Sequence, residues 1–233
     1  MEENLTLIAF DADDTLWHNE RFFRLTQARF AELLADHADH DHLMERLLAA
    51  ERRNIRHYGY GIKGFVLSMI ETALDVTDDR VPARVIRELI SAGQEMLAHP
   101  IELLPHARAA VEAAAETHAI ALITKGDLLD QERKLAQSGL GDMFDAVEIV
   151  SEKDSETYRA IFQRLGHAPD RVMMVGNSIR SDVVAPIQAG AWGVHVPHGL
   201  IWDIERAEIP SDHPRFLEIE HLGQLPALFH RFR

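Results

Sequence analysis

The chain has 233 residues, 46% of them hydrophobic and 27% charged, the profile of a folded protein with a substantial core. Its 38 acidic residues against 24 basic ones leave a formal net charge of −14, a surface that repels nucleic acid and anionic membrane. With no cysteine in the sequence, disulfide and thiol chemistry are excluded. The acidic "MEENLTLIAF" is unlike a signal peptide, and no apolar run approaches the roughly 18 residues of a membrane helix. A cytoplasmic protein is therefore expected.

The first element is "LTLIAF", residues 5–10, an apolar strand that runs straight into Asp11, Asp13 and Asp14. Helix then follows helix to about residue 100: "ERFFRLTQARFAELLADH", "DHLMERLLAAERRNIRHYGY", "FVLSMIETALDV" and "VPARVIRELISAGQEMLAH". From about residue 104 the texture alternates. Helix "PHARAAVEAAAETH", strand "AIALIT", helix "DLLDQERKLAQSG" and strand "FDAVEIV" come first; helix "DSETYRAIFQRLG" and strand "RVMMVG" follow. "SDVVAPIQAG" reads as helix despite Pro186, "AWGVHV" as strand, and the tail as a last strand and a closing helix. Apolar strands alternating with helices imply a parallel sheet, Rossmann-like, covered by helices on both faces. The expected organisation is an α/β core of residues 1–16 and 101–233, with an all-helical module, residues 17–100, inserted after the first strand.

Parallel strands bring their carboxyl ends to one side, so groups far apart in sequence can converge there. The strand ends supply Asp11, Asp13 and Asp14; Thr124 in "LITKGD"; Lys153 in "SEKDSETY"; and Asn177, Ser178 and Asp182 in "GNSIRSD". Carboxylates with an amide oxygen suit a hard cation such as Mg²⁺. A lysine and a hydroxyl suit an anion rich in oxygens, such as a phosphoryl group. Taken alone, the aspartates of "DADDT" read equally well as a solvated turn with helix-capping carboxylates.

These four strand ends, in order, resemble the motifs of the haloacid dehalogenase-like (HAD) superfamily. "DADDT" matches its D-x-D-x-[TV], Thr124 its second motif, Lys153 its third, and "GNSIRSD" its acidic fourth, with Asn177 where relatives commonly carry Asp. Asp14 stands where many relatives have Gly and receives no chemical role. The helical insert resembles the cap of many members, placed after the first strand (C1-type). The resemblance implies a Mg²⁺-dependent phosphatase acting on a small phosphorylated metabolite. Asp11 would be the nucleophile and Asp13 the acid and base, while Thr124 and Lys153 would bind the phosphoryl group. The Asp11 carboxylate, the Asp13 carbonyl, Asn177 and Asp182 would hold Mg²⁺. Lys125, beside Thr124, joins the substrate-binding set, though a solvated charge is the plainer reading.

In the cap, "RRNIRHYGYGIKGF" has glycines that permit an unusual loop, from which Arg56 and Lys63 could face an anionic substrate or merely water. His37, His40 and His42 read as a solvated loop rather than a zinc site, and His195 and His198 as loop and strand-end residues. Rival activities are a haloacid dehalogenase, against which Asp13 argues, a phosphomutase, and a catalytically weak module that binds a phosphorylated ligand, favoured by Asn177. Neither the substrate nor the oligomeric state is written in the sequence.

Overall fold

Leu7–Phe10 forms the first strand, β1, and all four of its residues are buried. The computed structural model describes residues 4–232. Ala119–Lys125 (β2), Ala146–Val150 (β3), Val172–Gly176 (β4), Trp192–His195 (β5) and Phe216–Glu218 (β6) complete a parallel sheet of order β3-β2-β1-β4-β5-β6. The helices are α1 (Glu20–Leu33), α2 (His40–Tyr58), α3 (Ile62–Val76), α4 (Ala83–Ala98), α5 (Ala107–Ala115), α6 (Leu128–Ser138), α7 (Ser155–Leu165), α8 (Ala185–Gln188) and α9 (Leu225–Phe229). This is the α/β, Rossmann-like architecture with an all-helical insertion that the residue pattern implied.

The two-residue period of the strands explains why both faces of the sheet are covered. Ile8, Phe10, Ile120, Leu122, Met173 and Val175 join one apolar cluster with Val111 of α5 and Phe229 of α9. Their neighbours Leu7, Ala9, Ala121, Ile123, Val172 and Met174 join the other, with Tyr158, Ile161 and Phe162 of α7. Burying each of the larger side chains is worth about 1.5–3 kcal/mol, so a charge on either face of β1 would not be tolerated.

The chain divides into two compact units. The sheet unit takes residues up to Glu20, Ile101–Lys125 and the chain from Gln131 onward. The helical unit takes Arg21–Pro100 together with the short segment Gly126–Asp130, which the sequence had grouped with the core. Its own core contains Phe30, Leu34, Leu43, Leu47, Phe65, Met69, Leu89 and Met96, apolar stripes at helical spacing from α1 to α4. Gly59 and Gly61, at φ 73° and 108°, let the chain turn between α2 and α3, where a side chain would be strained.

One element differs from the expected helix over residues 181–190. After β4 the chain winds as a wide π-type turn, Ile179–Val184, before the short α8. Pro186 has no N–H for the carbonyl four residues back, so the regular ladder cannot run through it. The wide turn also lies tight on β5: a Cβ on Gly193 would stand 2.9 Å from the Val183 carbonyl oxygen.

Candidate active site

The sheet builds outward in both directions from β1, through β2 on one side and β4 on the other. Such a reversal opens a crevice at the carboxyl ends of the two central strands, and ligands of open α/β sheets bind there. Asp11 is the first residue past β1, and its N–H donates to the Val175 carbonyl of β4 at 2.9 Å. The loop then folds tightly, with the Leu16 N–H donating to the Ala12 carbonyl at 2.8 Å. Asp14 adopts φ 61° there and accepts from the Asn19 and Glu20 N–H groups at 2.9 Å each, which orients the entry to α1. Its role is architectural: Asp tolerates the left-handed conformation for which Gly is the usual choice.

Lys153, in the loop before α7, is buried between two carboxylates. Its ammonium donates to Asp11 Oδ1 at 2.5 Å and to Asp182 Oδ1 at 2.8 Å. Burial alone would pull the lysine down, but Asp11 and Asp182 outweigh it and hold the ammonium well above its usual range. Asp11 is pushed up to about 7, first by burial and then by the Asp182 charge, against the opposing pull of Lys153. Two buried acids therefore share one lysine, and the shortage of positive charge falls on Asp11.

Thr15 links Asp11 to the fourth strand end. Its hydroxyl accepts from the Asn177 N–H at 3.0 Å and has its proton to give to Asp11 Oδ2 at 3.0 Å or Asn177 Oδ1 at 3.2 Å. The Asp11 carboxylate and the Asn177 amide oxygen are thus neighbours. Oxygen donors next to an under-compensated carboxylate fit a hard divalent cation.

Asp182, expected near the cation, is also paired with the lysine. One of its oxygens takes Lys153 at 2.8 Å and the other accepts the Ser178 N–H at 3.0 Å, so it orients the lysine. Gly176 makes this possible, because a Cβ there would stand 2.4 Å from the Asp182 carboxyl carbon.

Lys125 is not the solvated charge that its neighbourhood in the sequence suggests. Its side chain is 13% exposed, and its ammonium donates to Glu205 Oε1 at 2.5 Å and Ser181 Oγ at 2.9 Å. Glu205 accepts also from the hydroxyls of Ser178 and Ser181, at 2.7 and 2.6 Å. Burial would raise this carboxyl, but Lys125 and the two hydroxyls hold it below its usual range. Thr124 is buried at the end of β2.

In the helical unit, Lys63 is committed to Asp127, with its ammonium 2.9 Å from Asp127 Oδ2, and Arg56 is exposed in the last turn of α2. His37, His40 and His42 are exposed, and Asp39 caps α2 by accepting the His42 N–H. His195 pairs with Glu218 at 2.8 Å across β5 and β6, and His198 lies 3.7 Å from Asp14. Among the described residues no cluster of three or more His, Cys, Asp or Glu could hold a metal, so any cation would rely on amide and carbonyl oxygens as well.

Sequence reasoning missed Gln131, Lys134 and Glu205. Lys134 donates to both oxygens of Asp13 at 3.0 Å, and Gln131 donates to Asp13 Oδ2 at 2.8 Å. A signal was present: Asp130, Gln131, Lys134 and Ser138 form a polar stripe on α6, and all four are buried. Nothing local marked Glu205, which ends a single 3₁₀ turn, Asp203–Glu205, beyond β5.

Residues 5–190 match the model of the haloacid dehalogenase-like hydrolases, and the chain belongs to this family. Among solved structures it is similar to a haloacid dehalogenase-like family hydrolase from Xanthomonas campestris. That match has 40% identity and a TM-score of 0.88, covering 98% of this chain and 91% of the other. YfnB from Bacillus subtilis, described as an HAD-hydrolase bound to magnesium, shares the fold at 15% identity and a TM-score of 0.66, covering 97% and 99%. L-2-haloacid dehalogenase from Xanthobacter autotrophicus does so at 17% and 0.62, covering 97% and 98%. No curated protein sequence matches the chain. Among the described residues no helix is long and apolar enough to cross a membrane.

Proposed function

We propose that this hydrolase cleaves a small phosphate monoester through an aspartyl-phosphate intermediate. One observation carries the reading. A buried carboxylate, Asp11, stands at the reversal of the sheet with Lys153 at 2.5 Å, and a second carboxylate, Asp13, follows two residues later on the same loop. In the first step an Asp11 oxygen bonds to phosphorus while the ester P–O bond breaks, and Asp13 gives a proton to the departing oxygen. In the second, Asp13 takes a proton from water as its oxygen bonds to phosphorus, and the Asp11–phosphorus bond breaks to release phosphate. Lys153 offsets the anionic charge at Asp11, and Thr124 hydrogen-bonds the phosphoryl oxygens.

The Asp11 carboxylate, the Asp13 carbonyl and the Asn177 amide oxygen are the groups that would hold Mg²⁺, which when bound screens Asp11 from the anionic substrate. The net charge of −14 fits a small-molecule substrate rather than nucleic acid, and suits a cytoplasmic protein. A second reading, a dehalogenase, is favoured by the neutral Asn177 and by the commitment of Asp182 to Lys153, which leave the fourth motif without a free carboxylate. There Asp11 would bond to the halogen-bearing carbon, expelling halide, and water would hydrolyse the ester. Turnover of p-nitrophenyl phosphate and of a 2-chloroacid, each with Mg²⁺ or EDTA, separates the two. Phosphate release that needs Mg²⁺ supports the first; chloride release indifferent to EDTA would replace it by the second.

A further inference from the structure

Lys134 is a cation on the buried stripe of α6, 6% exposed, where an apolar side chain would pack at no electrostatic cost. Burying an ammonium costs several kcal/mol unless good partners compensate. Those partners are both oxygens of Asp13, at 3.0 Å, and Asn19 Oδ1 at 2.9 Å. Asp13 also accepts from Trp17 Nε1 at 2.7 Å and from Gln131 Nε2 at 2.8 Å, so donors converge on it from three side chains. Its own side chain stays 21% exposed, unlike Asp11, so it is gripped without being sealed away. Gln131 adds a second feature: its Oε1 is buried and, among the described residues, has no hydrogen-bond partner. It belongs to the amide whose nitrogen serves the Asp13 carboxylate. Turned over, the same amide would accept the proton of an Asp13 carboxylic acid.

We propose that Lys134, assisted by Gln131, is the positioning residue that holds Asp13 for proton transfer. This rests on the phosphatase reading of Asp13. The grip fixes the carboxylate from outside the four strand-end motifs, and the Gln131 amide serves either protonation state.

The test compares Lys134→Met, Lys134→Arg and Gln131→Met with the wild type in kcat/KM for p-nitrophenyl phosphate and phenyl phosphate. The phenolate of the second is the poorer leaving group and needs the proton more. Lys134→Met should lose about tenfold more on phenyl phosphate than on p-nitrophenyl phosphate, less than the roughly 10²–10⁴ of losing the acid outright, because Asp13 itself remains. Lys134→Arg should recover part of that difference. Gln131→Met, which keeps the ion pair, should show the same selectivity at smaller size. In Asp13→Asn, adding Lys134→Met should cost nothing further.

A readout without turnover runs alongside: the NMR signal of the Trp17 indole N–H should shift in Lys134→Met. Equal losses on both esters, or losses that add to Asp13→Asn, would overturn the proposal and leave Lys134 a purely structural residue. An unmoved indole signal would overturn it too. Wild-type protein inactive toward both esters would instead sink the phosphatase reading, and the proton-transfer role with it.

Discussion

The charges gathered near the strand ends of the sheet unit and those on the helices of the helical unit are paired under opposite conditions. At the strand ends Lys153 is buried with Asp11 and Asp182, Lys134 with Asp13, and Lys125 with Glu205. On the helices the pairs lie at the surface: Arg29 with Glu88 and Glu95, Arg46 with Asp75, Arg53 with Glu71. Exposed pairs contribute about 0–1 kcal/mol each and cost little to form. Buried ones are costly, and apolar replacements are often as stable. Ionised groups concentrated at the strand ends are therefore weak evidence for stability and strong evidence for chemistry.

Breaking the buried set should have the largest consequences. Asp11→Asn should abolish turnover, because an amide cannot be the nucleophile; near wild-type rates would end the covalent mechanism. The same variant tests the electrostatics. Asp11, pushed up to about 7 in the fold from an ordinary 3.8, keeps its proton where the unfolded chain has lost it. Stability from this group falls as pH rises from about 4 to about 7 and is level above. Asp11→Asn should therefore raise the melting temperature more at pH 8 than at pH 4. An equal change at both would show that Asp11 is fully compensated in the fold.

Lys153→Met should come next, leaving Asp11 and Asp182 buried together without their cation. Removing one partner of a buried pair costs about 3–5 kcal/mol, measurable by urea unfolding at pH 8, and activity should be lost with it. A loss below about 1 kcal/mol would mean that water reaches the pair freely.

Asn177→Asp should tighten Mg²⁺ several-fold by adding a charge beside Asp11, seen both in calorimetry and in the Mg²⁺ concentration for half-maximal rate. An unchanged affinity would remove Asn177 from the cation's ligands.

The smallest effects belong to the surface. Arg46→Ala should cost under about 1 kcal/mol, and less still in high salt. Lys63→Ala, which frees Asp127, should leave p-nitrophenyl phosphate turnover nearly unchanged, yet raise KM for a larger natural substrate if Lys63 touches its remote part. No difference between the two esters would confine Lys63 to its pair with Asp127.

Much of this was legible in one dimension, because periodicity reports burial directly. The strands from β1 to β5, the helical stretch between residues 20 and 100, and the polar residues at each strand end all follow from local pattern. The wide turn before α8 did not, since Pro186 says only that a regular helix is interrupted, and the form of the interruption depends on packing against β5. The partners of the charges were likewise invisible. Nothing local to Asp182 announces the Lys153 contact for which Gly176 leaves room, and Lys125 reads as solvated until Glu205 closes on it from 80 residues away. By itself the sequence determined which residues carry charge at the ends of which strands. Only the tertiary structure decided which charges meet, because a buried ion pair is fixed by geometry across chain-distant loops, and its energy depends on burial that no local stretch encodes.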